Sequence, residues 1–193
     1  MTEFSAKWPS ETVTKLDAAR RQLDTAITLW FNDGDTVSTY TLSHAAYEVI
    51  HNLTSEHRKG ALIFDAPMVR GEYRKEVNSR LRNPANFFKH AARGKAENPT
   101  IEFFPKVSEI FMLFSSHALR MIQIPPSDAE RVLSAWFMIH EPGWLTEEGR
   151  ELFTKHVPAD VQDRLRGVDR GEFFKSFLEA RALNPFWGAV SPG

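Results

Sequence analysis

The stretch TIEFFPKVSEIFMLFSSHALRMIQ, residues 100–123, decides how the fold is read. Wound at about 100° per residue, its Ile101, Phe103, Phe104, Val107, Ile110, Phe111, Leu113, Phe114, Leu119 and Ile122 fall on nearly every side. A helix apolar all round needs neighbours all round, so the spacing predicts a central helix over about 100–123. Pro105 either kinks its first turns or marks its true start. The strongest apolar run, Ile110 to Phe114, is far short of the roughly 18–20 residues that a bilayer span requires. The segment therefore reads as the core of a bundle, with no membrane as partner.

Working outward, the flanking sequence supplies the neighbours. Ser10 is placed to cap a first helix, in which Leu16, Leu23, Ile27 and Trp30 recur at helical spacing. Asn32-Asp-Gly-Asp35 ends that helix, with Gly34 available for a left-handed cap. A second helix follows from Thr36 to about Glu56, its expected buried stripe being Leu42, Ala45, Ala46, Val49 and Leu53. So short a connection favours an antiparallel helical hairpin. Residues 60–67 read as a loop, and a charged third helix is expected from about Met68 to Leu81. Asn83-Pro84 then looks like a cap with proline in the first turn, opening a short helix to about Ala92. Beyond residue 123, helices are expected near 127–140, 146–156, 158–165 and 169–183, before a Pro/Gly-rich tail with Phe186 and Trp187 as a docked anchor. The fold class is all-α: a helical bundle built on an antiparallel hairpin with a central apolar helix. Residues 1–123 form the bundle, and 124–193 a helical extension or small second lobe.

Composition narrows the function classes. Of 193 residues, 24 are Lys or Arg and 25 Asp or Glu, a net charge of −1 that argues against an overall nucleic-acid or membrane coat. The absence of cysteine excludes disulfides, thiolate metal sites and Cys nucleophiles, and fits a cytoplasmic setting. The opening MTEFSAKWPSET has no apolar run behind its charges and does not read as a secretory signal. No phosphate-loop, dinucleotide-binding, nucleophile-elbow or His-Glu-x-x-His pattern occurs.

Charge is nonetheless uneven. Arg70, Arg74, Lys75, Arg80, Arg82, Lys89, Arg93 and Lys95 face only Glu72 and Glu76 over residues 70–95, while 141–163 is acidic. The basic run is either a solvated face, a surface for a second copy, or a phosphate-binding patch. Within it, a helix opening at Pro84 aligns Asn86, His90 and Arg93 at i, i+4 and i+7. A titratable imidazole, an amide and several cations are what metal-free RNA cleavage requires. The candidate catalytic set is accordingly Asn86, His90 and Arg82, with Lys89, Arg93 and Arg80 as phosphate-binding candidates and no metal or cofactor. His90 could equally cap its own helix.

A second cluster lies on the second helix, where Tyr40, His44, Tyr47, Glu48 and His51 share an arc opposite the expected stripe. Its Glu48-Val-Ile-His51 matches half of a di-iron bundle motif, but no second Glu-x-x-His accompanies it. A half-exposed polar face or a partner-facing surface accounts for it. His117, on the apolar central helix, reads as a satisfied core histidine; His57 and His156 read as surface.

The early helical hairpin followed by Asn86-Phe-Phe-Lys-His90 resembles the HEPN superfamily of all-helical domains, over residues 13–120. Leu16-Asp-Ala-Ala-Arg20, Gly34-Asp35 and Phe87-Phe-Lys-His90 are similar to a bacterial branch of it. The resemblance implies homodimers with the motif at the interface, metal-independent endoribonuclease activity in many members, and roles in defence, toxin–antitoxin pairs or nucleotide binding. In the family motif an Arg precedes the polar residue, where this chain has Ala85. Either Arg82 or Arg80 takes that role, or the cleavage chemistry is lost. Two functions are therefore expected: a non-catalytic module binding RNA, a nucleotide or a protein partner through residues 70–95, or an endoribonuclease with His90 as acid/base.

Overall fold

A computed structural model describes residues 8–57, 62–65, 70–90 and 99–183. Among these residues the fold is all-α, with eight helices and no strand: α1 Lys15–Phe31, α2 Thr36–Thr54, α3 Gly71–Lys89, α4 Val107–Met121, α5 Asp128–His140, α6 Glu147–His156, α7 Ala159–Arg166 and α8 Arg170–Leu183. None of the described helices is long and apolar enough to cross a membrane.

Capping chemistry explains the boundaries. The cap of α1 is Thr14, not Ser10: its hydroxyl accepts from the Asp17 amide at 3.1 Å and donates to the Asp17 carboxylate at 2.6 Å. At the other end Asp33, not Gly34, takes the left-handed conformation, with φ of 49°. Gly34 serves a different need, since a Cβ there would sit 2.8 Å from Leu29 Cδ2. Asp35 caps α2 by accepting from the Ser38 amide at 2.7 Å. Ser127 and Glu130 form a full capping box at the start of α5.

α1 and α2 pack as the expected hairpin, and α2 then packs against α4. The buried face of α2 differs from the expected one. Tyr40, Ser43, His44, Tyr47 and Ile50 are buried, whereas Leu53 is exposed and Leu42, Ala45 and Val49 are only half-buried. Large aromatic rings bury more area than a short aliphatic stripe, and they are the ones that meet Phe111 of α4. α4 itself begins only at Val107, after Pro105, so residues 100–106 precede it. Nor is α4 covered on all sides. Ser108, Ser115 and Ser116 are buried where the helices approach closely, while Leu113 and Phe114 are half-exposed and His117 is exposed, not a core residue.

α3 is a single helix running through Pro84, where a cap and a new helix were expected. Proline removes one amide donor and presses on the carbonyl four residues back. The fully buried Tyr40 side chain meets this turn: its hydroxyl donates to the Leu81 carbonyl, next to the Arg80 carbonyl that Pro84 leaves without an amide, at 2.8 Å. Burial pushes the Tyr40 phenol up to about 12, so it remains a donor across the neutral range. Its ring also meets Phe88, Phe103 and Phe111 edge-on. The expected helix start at Met68 and end near Ala92 lie outside the described residues, as does the tail with Phe186 and Trp187.

The last helices attach to the first. Phe174 of α8 stacks on Phe31 of α1 with centroids 4.8 Å apart, and Phe173 meets Trp136 of α5 edge-on. Arg181 donates to the Asp128 carboxylate at 3.1 Å. Ser127 donates to Asp24 of α1 at 2.6 Å, and the buried Glu130 lies 3.6 Å from Arg20.

Tyr40→Phe is expected to cost about 1 kcal/mol, because it removes the buried hydrogen bond to the Leu81 carbonyl while keeping the ring. That loss corresponds to a melting temperature lower by roughly 2–4 °C for a chain of this size. Calorimetry checks it, and an unchanged transition would mean that the bond contributes nothing net.

Candidate functional site

α3 carries the charge that the sequence singled out. Over residues 70–90, six cations accompany only two carboxylates, and each carboxylate is near a cation: Glu72 with Arg70 at 3.7 Å and Glu76 with Arg80 at 2.7 Å. Both are exposed pairs, worth little and open to competition from a ligand. Lys75 and Lys89 are exposed and form no ion pair with any described residue.

Helix geometry splits the predicted residues onto opposite flanks. Arg82 is two residues from Arg80, about 200° around the axis. It turns toward α2, with Nε 3.8 Å from Glu48 and its guanidinium 4.1 Å above the Phe64 ring. Glu48 in turn lies 3.7 Å from Nδ1 of His44. His44 is wholly buried among Tyr40, Phe64 and Phe111 rings, and neither ring nitrogen has a hydrogen-bond partner. Removal from water, reinforced by the Lys89 and Arg82 charges, lowers its pKa to about 4. The polar arc of α2 is therefore core on its His44–Tyr47 side and pairs with α3 through Glu48. No group of three or more potential metal ligands occurs among the described residues.

The opposite flank of α3 opens into a cleft of about 370 Å³ lined by Tyr40, Arg80, Asn83, Pro84, Ile101, Glu102, Phe104 and Val107. Phe104 is 71% exposed, unusual for so large a ring, and stands at the mouth of this cleft with Arg80 and Asn83. The cleft combines a flat aromatic face, a guanidinium, an amide and a carboxylate. Such a set can stack a planar base, contact its phosphate and hydrogen-bond its edge. Tyr73 is a second exposed ring on the same helix, at 52%.

His90 is the exposed residue just after the last turn of α3, with Asn86 half-buried one turn earlier. The helix rise sets Arg82 and Arg80 back from His90 by about 12 and 15 Å along the axis. The structure thus brings Asn86 and His90 to one stretch of helix but does not gather Arg80 or Arg82 beside them. Arg93 lies outside the described residues. Sequence reading missed Phe104, Ile101 and Glu102 because it wound residues 100–106 into the central helix and counted Phe104 as core. Of the two readings left open at Pro105, a kink or the true start, the second holds, and a helix starting after it frees those side chains.

Compared with known proteins, the chain matches no family model, no curated protein and no solved structure.

His44 generates a pH prediction. The unfolded chain binds its proton near the ordinary value of 6.5, the folded chain only near 4, so the unfolded state holds more protons between those values. The contribution of neutral His44 is present above pH 6.5 and is lost as pH falls toward 4, by about 3 kcal/mol. Urea unfolding of wild type and His44→Gln from pH 7 to 4 checks this. The variant is expected to lose less stability over that window by about the same amount, and parallel curves would contradict it.

Proposed function

We propose that this chain is a non-catalytic binding protein for single-stranded RNA, held along α3 and in the cleft beside it. The observation that carries the reading is the exposed Phe104 beside Arg80 and Asn83. A base stacks on Phe104, Arg80 takes an adjoining phosphate, and Lys75 and Lys89 extend the backbone track. Glu102 at the same cleft disfavours a phosphate deep inside and accepts from an exocyclic amine on a base. A cytoplasmic setting, expected from the lack of cysteine, supplies such a ligand. The resemblance to HEPN domains supports RNA as the ligand class and a homodimer as the working unit.

The endoribonuclease reading needs a guanidinium and an imidazole on one phosphate. Arg82 is engaged with Glu48 and Phe64 and set back along the helix from His90, which favours binding over cleavage.

Anisotropy titration of a labelled single-stranded oligoribonucleotide against rising KCl tests the proposal. Contacts from Lys75, Arg80 and Lys89 predict a log–log salt slope of about −2. Arg80→Ala is expected to flatten that slope by about 0.7. Phe104→Ala is expected to weaken binding by roughly 5- to 100-fold while keeping the slope, as loss of one stacked base does. Indifference of the affinity to both substitutions would sink the proposal. RNA cleavage that His90→Ala abolishes would replace it with the nuclease.

A further inference from the structure

α4 has an apolar side that no described residue fully covers. With α5 and the turn Pro142–Trp144 it encloses a groove of about 410 Å³, well away from α3 and independent of the RNA reading. Its walls are Leu113 and Phe114 of α4, Phe137 and Met138 of α5, and Trp144, whose ring stacks on Phe137 with centroids 5.6 Å apart. Trp144 remains 55% exposed on the groove's rim.

Polar groups are confined to particular places along it. Arg120, near the carboxyl end of α4, meets Ser134 of α5, and Glu141, just after the last turn of α5, lies near Lys106 at the start of α4. Arg120 Nη2 donates to Ser134 Oγ at 2.7 Å, and that hydroxyl donates onward to the Glu130 carbonyl at 2.8 Å. The guanidinium is thereby held in place, yet it forms no ion pair with any described residue. Partial loss of water lowers its pKa from the ordinary value, the Glu130 charge opposes this, and Arg131 adds like charge. One oxygen of the Glu130 carboxylate accepts from the Ser127 amide and lies near Arg20, while the other has no hydrogen-bond partner among the described residues. At the far end the charge is already matched, with Lys106 Nζ 4.0 Å from Glu141. One end therefore presents a guanidinium held by Ser134 that makes no ion pair with any described residue, Glu141 stands beside Lys106 at the other, and the wall between them is largely apolar.

We propose that this groove is a binding site for a medium-chain monocarboxylate, its carboxylate on Arg120 and its chain along Leu113, Met138 and Trp144. A bidentate guanidinium contact suits a carboxylate. Seven residues of helix rise from Leu113 to Arg120 give the chain about 10 Å of wall. The volume falls within the range of small-molecule sites. The groove is lined by about half as many residues as the roughly 20–30 that each partner of a stable protein interface contributes. His117 lines the same groove and adds a second donor midway along it.

Isothermal titration with sodium decanoate, kept below its micelle concentration, tests the site, with decanol as the uncharged control. One equivalent is expected to bind saturably, decanol at least tenfold more weakly, and Trp144→Phe should remove the accompanying fluorescence change. Arg120→Gln is expected to weaken decanoate at least tenfold while leaving decanol unchanged, which also shows that the groove survives the substitution. Met138→Trp, which fills the groove, should abolish both. Absence of saturable decanoate binding overturns the proposal, as do equal affinities for the two ligands in wild type. A sedimenting dimer that Met138→Glu dissociates would also overturn it, by assigning the groove to a second copy.

Discussion

The hydroxyl of Tyr40 meeting the Leu81 carbonyl is the contact on which the arrangement of the amino-terminal helices turns. α3 is strongly charged and buries little besides Pro84 and Ala85, so it has no broad apolar stripe to fix its position. Its hold on the bundle comes from a few side chains: Tyr40 at the proline turn, Arg82 on Phe64 and Glu48, and Asn78 donating to the Phe64 carbonyl at 2.9 Å. Tyr40 also forms the floor of the Phe104 cleft. One buried phenol thus sets the helix and shapes the surface where a ligand is proposed to bind.

Most helices and many of their ends were legible in the sequence because capping is local chemistry, though the separate helix expected from Pro84 is part of α3. Ser127 with Glu130, Asp35 with Ser38, and Thr146 with Gly149 act across three residues and depend little on the rest of the fold. Two features depended on distant partners and were misread. The face of α2 was assigned by aliphatic spacing, whereas Phe111 and Phe64 draw its aromatic face inward. Pro84 looked like a boundary because proline lacks the amide that would bond the Arg80 carbonyl, and the contacts that carry α3 past it, Tyr40 on Leu81 and Phe103 on Phe88, come from distant segments.

The candidate site was legible in composition but not in direction. A basic run between 70 and 95 was plain, yet Arg80 and Arg82 serve opposite flanks of one helix, and continuity through Pro84 decides which. His44 and Glu48 stood out as an odd cluster, and the structure answers what they face: Glu48 faces Arg82, and His44 faces the rings around Phe111. The imidazole with the most perturbed environment is therefore a core residue, while the exposed His90 ends its helix.

The stacking of Phe174 on Phe31 has a consequence for how the chain is made. α1 is made before α8, but its carboxyl end is covered by α8, and Arg170 reaches back 137 positions to Asp33. At roughly 5–20 residues per second, Phe31 stays without its cover for on the order of ten seconds of synthesis. Folding that begins at the hairpin cannot close there. A nascent chain halted after α5 presents an apolar patch to whatever is nearby, and the order of synthesis makes α8 the step that withdraws it.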